Sequence, residues 1–128
     1  MELKVGLTGK SEVLVDNSNT AKTMGSGDLE VFATPAMIAL MEKAATLAIA
    51  ECLPEGSSTV GTMISVKHMA ATPVGMNVAA RAILNQVDGK KLVFSVEALD
   101  GKDKIGEGQH ERYIINVDKF LAKANGKV

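Results

Sequence analysis

Apolar residues run almost without interruption through residues 34–53. Between Ala36 and Ala50 only Glu42, Lys43 and Thr46 are polar. Ala, Leu and Met, all strong helix formers, dominate the run, and Pro54 and Gly56 supply a stop. The pattern predicts one long helix over 34–53. Thr34 is the expected N-cap, its hydroxyl accepting from a free N–H of the first turn. Pro35 follows at the first helical position, where its missing N–H costs nothing. Phe32 and Ala33 are placed to pack back on that turn as a hydrophobic staple. A helix apolar around most of its circumference is normally buried on most sides, so the carboxylate in its middle, Glu42, needs explaining.

Elsewhere the period shortens. Residues 12–16, within 4–16, read as a first strand, and 17–28, rich in Asn, Ser, Thr, Gly and Lys, as a loop or mobile flap. The β-branched residues Thr59, Val60, Thr62, Ile64 and Val66 predict a strand over 59–68, and Pro73 and Gly75 break the chain after it. Over 77–87, Val78, Ala80, Ala82 and Leu84 share one face, with Arg81 and Asn85 on the other. Asp88-Gly89 signals a two-residue hairpin. Leu92, Phe94, Val96 and Ala98 line one face of the next strand, and Asp100-Gly101 opens another turn. Residues 105–117 read as a long last strand with a bulge at Gly106 or Gly108, and 118–128 as a short, frayed helical tail.

That order is α+β: an antiparallel sheet wrapped around one long central apolar helix. The links at Asp88-Gly89 and Asp100-Gly101 are too short for parallel crossovers. One sheet face cannot cover the whole helix, so a second copy of the chain, as a homodimer, is expected to cover the rest. Pairing of dimers into tetramers is left open.

Size and charge narrow the function. The 128 residues make one domain, 1–128, large enough to close a core. A net charge of -1, with 14 basic residues scattered, gives no electrostatic case for nucleic acid. The apolar run is broken well short of the ~20 residues of a membrane span. The N-terminus carries an acid and no apolar h-region, so no signal peptide is expected. The single cysteine, Cys52, excludes an internal disulfide and suits a reducing cytoplasm.

Candidate chemistry is sparse. His68 and His110 lie 42 positions apart, with neither a CxxC nor an HExxH pattern, so no metal or other cofactor is expected. Glu42 has two readings. It belongs to a solvated stripe with Lys43 and Thr46, or it is a partly buried carboxylate suited to proton transfer. His68, at the end of a strand, is a structural histidine or a proton shuttle. Capping alone accounts for Thr34, and Arg112 is either a surface charge or an anion contact.

Taken together, E-V-F-A-T at residues 30–34, Met41-Glu42, G-T-M-I-S-V-K-H-M-A-A-T-P at 61–73 and G-Q-H-E-R at 108–112 resemble the fluoroacetyl-CoA thioesterase family, over about residues 30–120. The resemblance implies a hot-dog homodimer that hydrolyses an acyl-CoA thioester. It places the family's catalytic threonine, glutamate and histidine on Thr34, Glu42 and His68, its glycine near the thioester on Gly61, and its arginine on Arg112. The family's namesake also carries a phenylalanine gate just before E-V-F-A-T. Residues 25–29 here hold no aromatic side chain, so the resemblance reaches thioester hydrolysis but not fluoroacetyl selectivity.

Residue physics agrees with that expectation. A helix N-terminus offers free N–H groups, here expected at Ala36 and Met37, to the oxyanion of a tetrahedral intermediate. Thr34 and Glu42 are eight residues apart, about 12 Å along a helix. Either the substrate lies between them or Glu42 comes from the partner subunit, and the composite site is favoured. Two rival readings stand beside it: a non-catalytic acyl-CoA-binding domain, and an enoyl-CoA hydratase using Glu42 and His68 as acid and base.

Overall fold

The computed structural model describes residues 2–128. In chain order it contains β1 (Thr8–Leu14), α1 (Ala21–Met24), α2 (Thr34–Ile49), β2 (Ser57–His68), β3 (Asn77–Asp88), β4 (Lys91–Leu99), β5 (Lys104–Asn116) and α3 (Val117–Asn125). All five strands form one antiparallel sheet in the order β1-β3-β4-β5-β2. α2 packs across its inner face, chiefly on β1 and β3.

The helix buries Met37, Leu40, Met41, Ala44, Ala45, Ala48 and Ile49, the three-and-four spacing of a single stripe. Opposite them lie Val78, Ala80, Ala82 and Leu84 of β3 and Leu92, Phe94, Val96 and Ala98 of β4, all buried. These are the inner-face positions that the alternation marked. Burial of each large side chain here stabilises by about 1.5–3 kcal/mol. The alanines let backbones approach closely. At Gly9 of β1 an added Cβ would collide with the carbonyl of Ala44 and the amide of Ala48. The remaining stripe of α2, including Ala39, Lys43 and Leu47, is exposed in the single chain, Leu47 by 49%.

Several boundaries differ from expectation. The N-cap is Ala33, in extended conformation, and Thr34 already belongs to the helix. Phe32 and Met37 therefore occupy the staple positions, and both enter the core. The α-helix ends at Ile49 and tightens into a 3₁₀ turn over Ala50–Cys52. Pro54 forces this change by holding Leu53 extended (φ -92°, ψ 134°). The polar segment 17–28 contains the short α1, whose cap Thr20 accepts from Thr23 N, and Gly25 closes that helix at φ 75°.

The first hairpin turns one residue later than Asp88-Gly89 suggested. Asp88 pairs with Lys91, so Gly89-Lys90 is the two-residue loop, with Gly89 at φ 61°. Gly106 and Gly108 keep their ladder positions, and the irregularity in β5 falls at Ile105, skipped between Lys104 and Gly106. A second bulge, at Thr62 of β2, lies beside Gly61. No helix is long and apolar enough to cross a membrane among the described residues.

Candidate active site

Thr34 stands in the first turn of α2, and His68 is the last residue of β2. The two segments are stitched together upstream and downstream. Phe32 N donates to Thr72 O at 2.8 Å, and Val31 bridges Pro73. Thr72 is itself anchored, donating its hydroxyl to Asp100 Oδ2 at 2.8 Å from within the core. This framework brings Thr34 Oγ1 to 2.8 Å from His68 Nδ1. The hydroxyl expected to cap the helix is thus turned onto an imidazole instead.

Burial lowers the pKa of His68 below the ordinary histidine value, and the Ala70 backbone opposes part of that shift. The ring is neutral at neutral pH. Its Nε2 is buried without a hydrogen-bond partner, so exchange with a reacting group runs through Nδ1. We assign the ring proton to Nε2, the nitrogen on the side away from Thr34. Nδ1 then accepts from the Thr34 hydroxyl, the arrangement that activates a weak nucleophile.

The oxyanion donors are not the pair expected. Met37 N donates to Ala33 O at 3.0 Å, closing the first helical turn, and the Met37 side chain is wholly buried. The Met37 amide is therefore not one of the free N–H groups at this end. Pro35 has no N–H, which leaves the amides of Thr34 and Ala36 at the positive end of the helix dipole.

A second cluster forms two turns further along α2. Glu42, 39% exposed at its side chain, turns its Oε2 to Arg112 Nη1 at 3.4 Å and to His110 Nε2 at 4.0 Å. Gly61 of β2 pairs with Arg112 in the ladder and leaves this corner open. A Cβ on Gly61 would sit 2.6 Å from Glu42 Oε2 and 3.2 Å from Arg112 Nη1. Arg112 is buried and also donates through Nε to Thr59 Oγ1 at 2.9 Å and through Nη2 to Thr59 O at 3.1 Å. His110, 1% exposed, shares its Nδ1 hydrogen with Met63 O at 2.8 Å. Burial, more than any other cause, holds His110 below the ordinary histidine pKa, and Arg112 adds to it.

One chain thus holds two groups of expected residues. Thr34, His68 and Ala36 gather at the start of α2, while Glu42, Gly61 and Arg112 gather beside its middle. Sequence reasoning gave no role to His110 or Thr59. The signal was available for His110, since period-two alternation along β5 puts it on the same inner face as Arg112.

Known proteins match the chain over most of its length. The family described as fluoroacetyl-CoA-specific thioesterase matches residues 15–118. A fluoroacetyl-CoA thioesterase from Streptantibioticus cattleyicolor is 48% identical over 98 residues, which make up 77% of this chain and 70% of that protein. A solved structure of a fluoroacetyl-CoA thioesterase superposes with a TM-score of 0.93 at 38% identity, covering 100% of this chain and 99% of that one. A thioesterase superfamily member from Thermus thermophilus gives 0.87 at 26% identity, covering 97% and 94%.

Proposed function

Because the chain belongs to the fluoroacetyl-CoA-specific thioesterase family, we propose that it hydrolyses a coenzyme A thioester of a small acyl group, releasing the free acid and CoA, in a site built by two copies of the chain. The observation that carries the proposal is the hydrogen bond between Thr34 Oγ1 and His68 Nδ1. It joins a hydroxyl nucleophile to a neutral base at a helix N-terminus. In the reaction, Thr34 Oγ1 attacks the thioester carbonyl as its proton passes to His68 Nδ1. The oxyanion faces the Ala36 amide and the helix dipole. Collapse breaks the C–S bond, and His68 returns the proton to the departing sulfur. A water attacking in place of Thr34 uses the same base and the same donors. Glu42 is the carboxylate suited to activate the water that completes hydrolysis.

Eight residues of helix, about 12 Å, separate Thr34 from Glu42 within one chain. A second copy relieves that separation by presenting its own Glu42. Two features support a homodimer. β2 is a sheet edge whose outer backbone groups pair with no strand among the described residues. The neighbouring stripe of α2 exposes Ala39 and Leu47.

Free-thiol release from short acyl-CoAs tests the chemistry. Glu42→Gln and His68→Ala are each expected to lower turnover by ~10²-fold or more, and near-full activity in both refutes the assignment. Mixing tests the composite site. A Thr34→Ala chain and a Glu42→Gln chain, each inactive alone, should regain about a quarter of wild-type turnover when randomly paired, since half the dimers carry one intact site. No recovery places the site within one chain.

A further inference from the structure

The corner around Glu42 holds more groups than hydrolysis requires, and their donors and acceptors can be counted. A guanidinium has five N–H groups in a fixed fork and commonly grips a carboxylate with two of them. Arg112 does not. Its Nε hydrogen goes to Thr59 Oγ1, one Nη2 hydrogen to Thr59 O, one Nη1 hydrogen to His110 Nε2 at 3.2 Å, and only the other Nη1 hydrogen to Glu42 Oε2; the fifth, on Nη2, has no acceptor among the described residues. His110 can accept because its own proton is used at Nδ1, on Met63 O. Both ionic contacts of Glu42 fall on Oε2, which leaves Oε1 without a partner among the described residues.

We propose that His110 and Thr59 are positioning residues that harness Arg112, so that it orients Glu42 through a single N–H and does not chelate it, keeping the second carboxylate oxygen free for the reacting water or substrate. The inference rests on the reading of Glu42 as a catalytic base. The harness is rigid. His110 and Arg112 are buried, and the His110 ring lies against Phe94 with centroids 6.1 Å apart. The charged or titratable groups in contact with Glu42 are Arg112 and His110 of β5, while β2 contributes the uncharged Gly61.

His110→Phe tests this, because a second aromatic ring beside Phe94 fills the imidazole volume without an acceptor. The released Nη1 hydrogen is then drawn to Glu42, and a doubly held carboxylate is a weaker base. Turnover should fall at least ~10-fold with KM little changed. His110→Gln, which keeps both an acceptor and a donor, should restore much of the activity. In a Glu42→Gln background, His110→Phe should add almost nothing. If His110→Phe does not fold, Thr59→Val against Thr59→Ser provides the same comparison. A turnover loss of less than a few-fold, failure of His110→Gln to restore activity, or an undiminished effect in the Glu42→Gln background overturns the proposal. Full activity of Glu42→Gln itself overturns the catalytic reading instead, so the two failures are distinguishable.

Discussion

Gly61→Ala isolates the open corner between α2 and β2. Gly61 has no left-handed backbone, so alanine brings no strain there, and in a strand it is favoured over glycine by about 0.5–1 kcal/mol. The added Cβ, however, meets Glu42 Oε2 at 2.6 Å, whereas ordinary contact begins at 3.4 Å. The carboxylate must therefore retreat by about 0.8 Å. It is the far end of a flexible side chain, so the collision is relieved by movement rather than by unfolding. That movement stretches the Arg112 contact, already 3.4 Å. For a partly exposed pair the stability lost is roughly 0–1 kcal/mol, which the strand propensity of alanine offsets. Thermal denaturation should show a Tm within a few degrees of wild type. Catalysis has no such compensation, since a misplacement of about 1 Å can cost ~10²-fold in rate. Turnover of a short acyl-CoA should fall by that order. In a Glu42→Gln background the added loss should be small, because the same group is disturbed twice. Turnover within a few-fold of wild type would refute the reasoning. So would a rate loss matched by unfolding at the assay temperature.

Three further outcomes follow from other parts of the chain. Gly9→Ala should act oppositely to Gly61→Ala: its Cβ meets backbone atoms of Ala44 and Ala48, which cannot step aside, so urea unfolding should show a loss of about 1–3 kcal/mol while the folded fraction keeps normal turnover. Thr72→Val deprives Asp100, 6% exposed, of its side-chain donor. That should cost about 1–3 kcal/mol in urea unfolding and lower kcat by loosening the frame around Thr34 and His68, whereas Thr72→Ser should retain both. Acid should act on both histidines in one direction. His68 and His110 each titrate below 6.5 in the folded chain, so the unfolded chain binds more protons from there down. Their contribution to stability is present above pH ~6.5 and is lost as pH falls through the folded values. Urea midpoints should decline across that window, and His68→Phe should flatten part of the decline.

The fold was readable because its signals were redundant. Inner-face positions of β3 and β4 repeat every second residue, and those of α2 every third or fourth, so an error at one position could not move the element. Boundaries had no such redundancy. Thr34 followed by Pro35 satisfies every rule for a cap, yet Ala33 takes that place, because the Thr34 hydroxyl has a partner 34 residues away. Nothing local in the sequence could weigh His68 against the first-turn amides. The hairpin shifted by one residue for a similar reason: the bulge at Asn85, skipped between Leu84 and Gln86, resets the β3–β4 register before the turn is reached.

Glu42 shows most clearly where local reasoning stops. Periodicity grouped it with Lys43 and Thr46 as one solvated stripe. The three residues in fact separate. Lys43 is exposed, Thr46 turns its hydroxyl back onto the Lys43 carbonyl at 2.7 Å, and only Glu42 leans toward β5. What draws it there is Arg112, 70 residues later, which could not be recognised as a buried cation until the strand pairing put it opposite a glycine. An arginine buried beside a side chain would have had to pair tightly or point elsewhere. Beside Gly61 it can reach Glu42 while still tied to Thr59 and His110. The glycine, rather than either charged residue, therefore makes a half-open carboxylate possible inside an apolar fold, and any change that fills its place should affect the chemistry before it affects the fold.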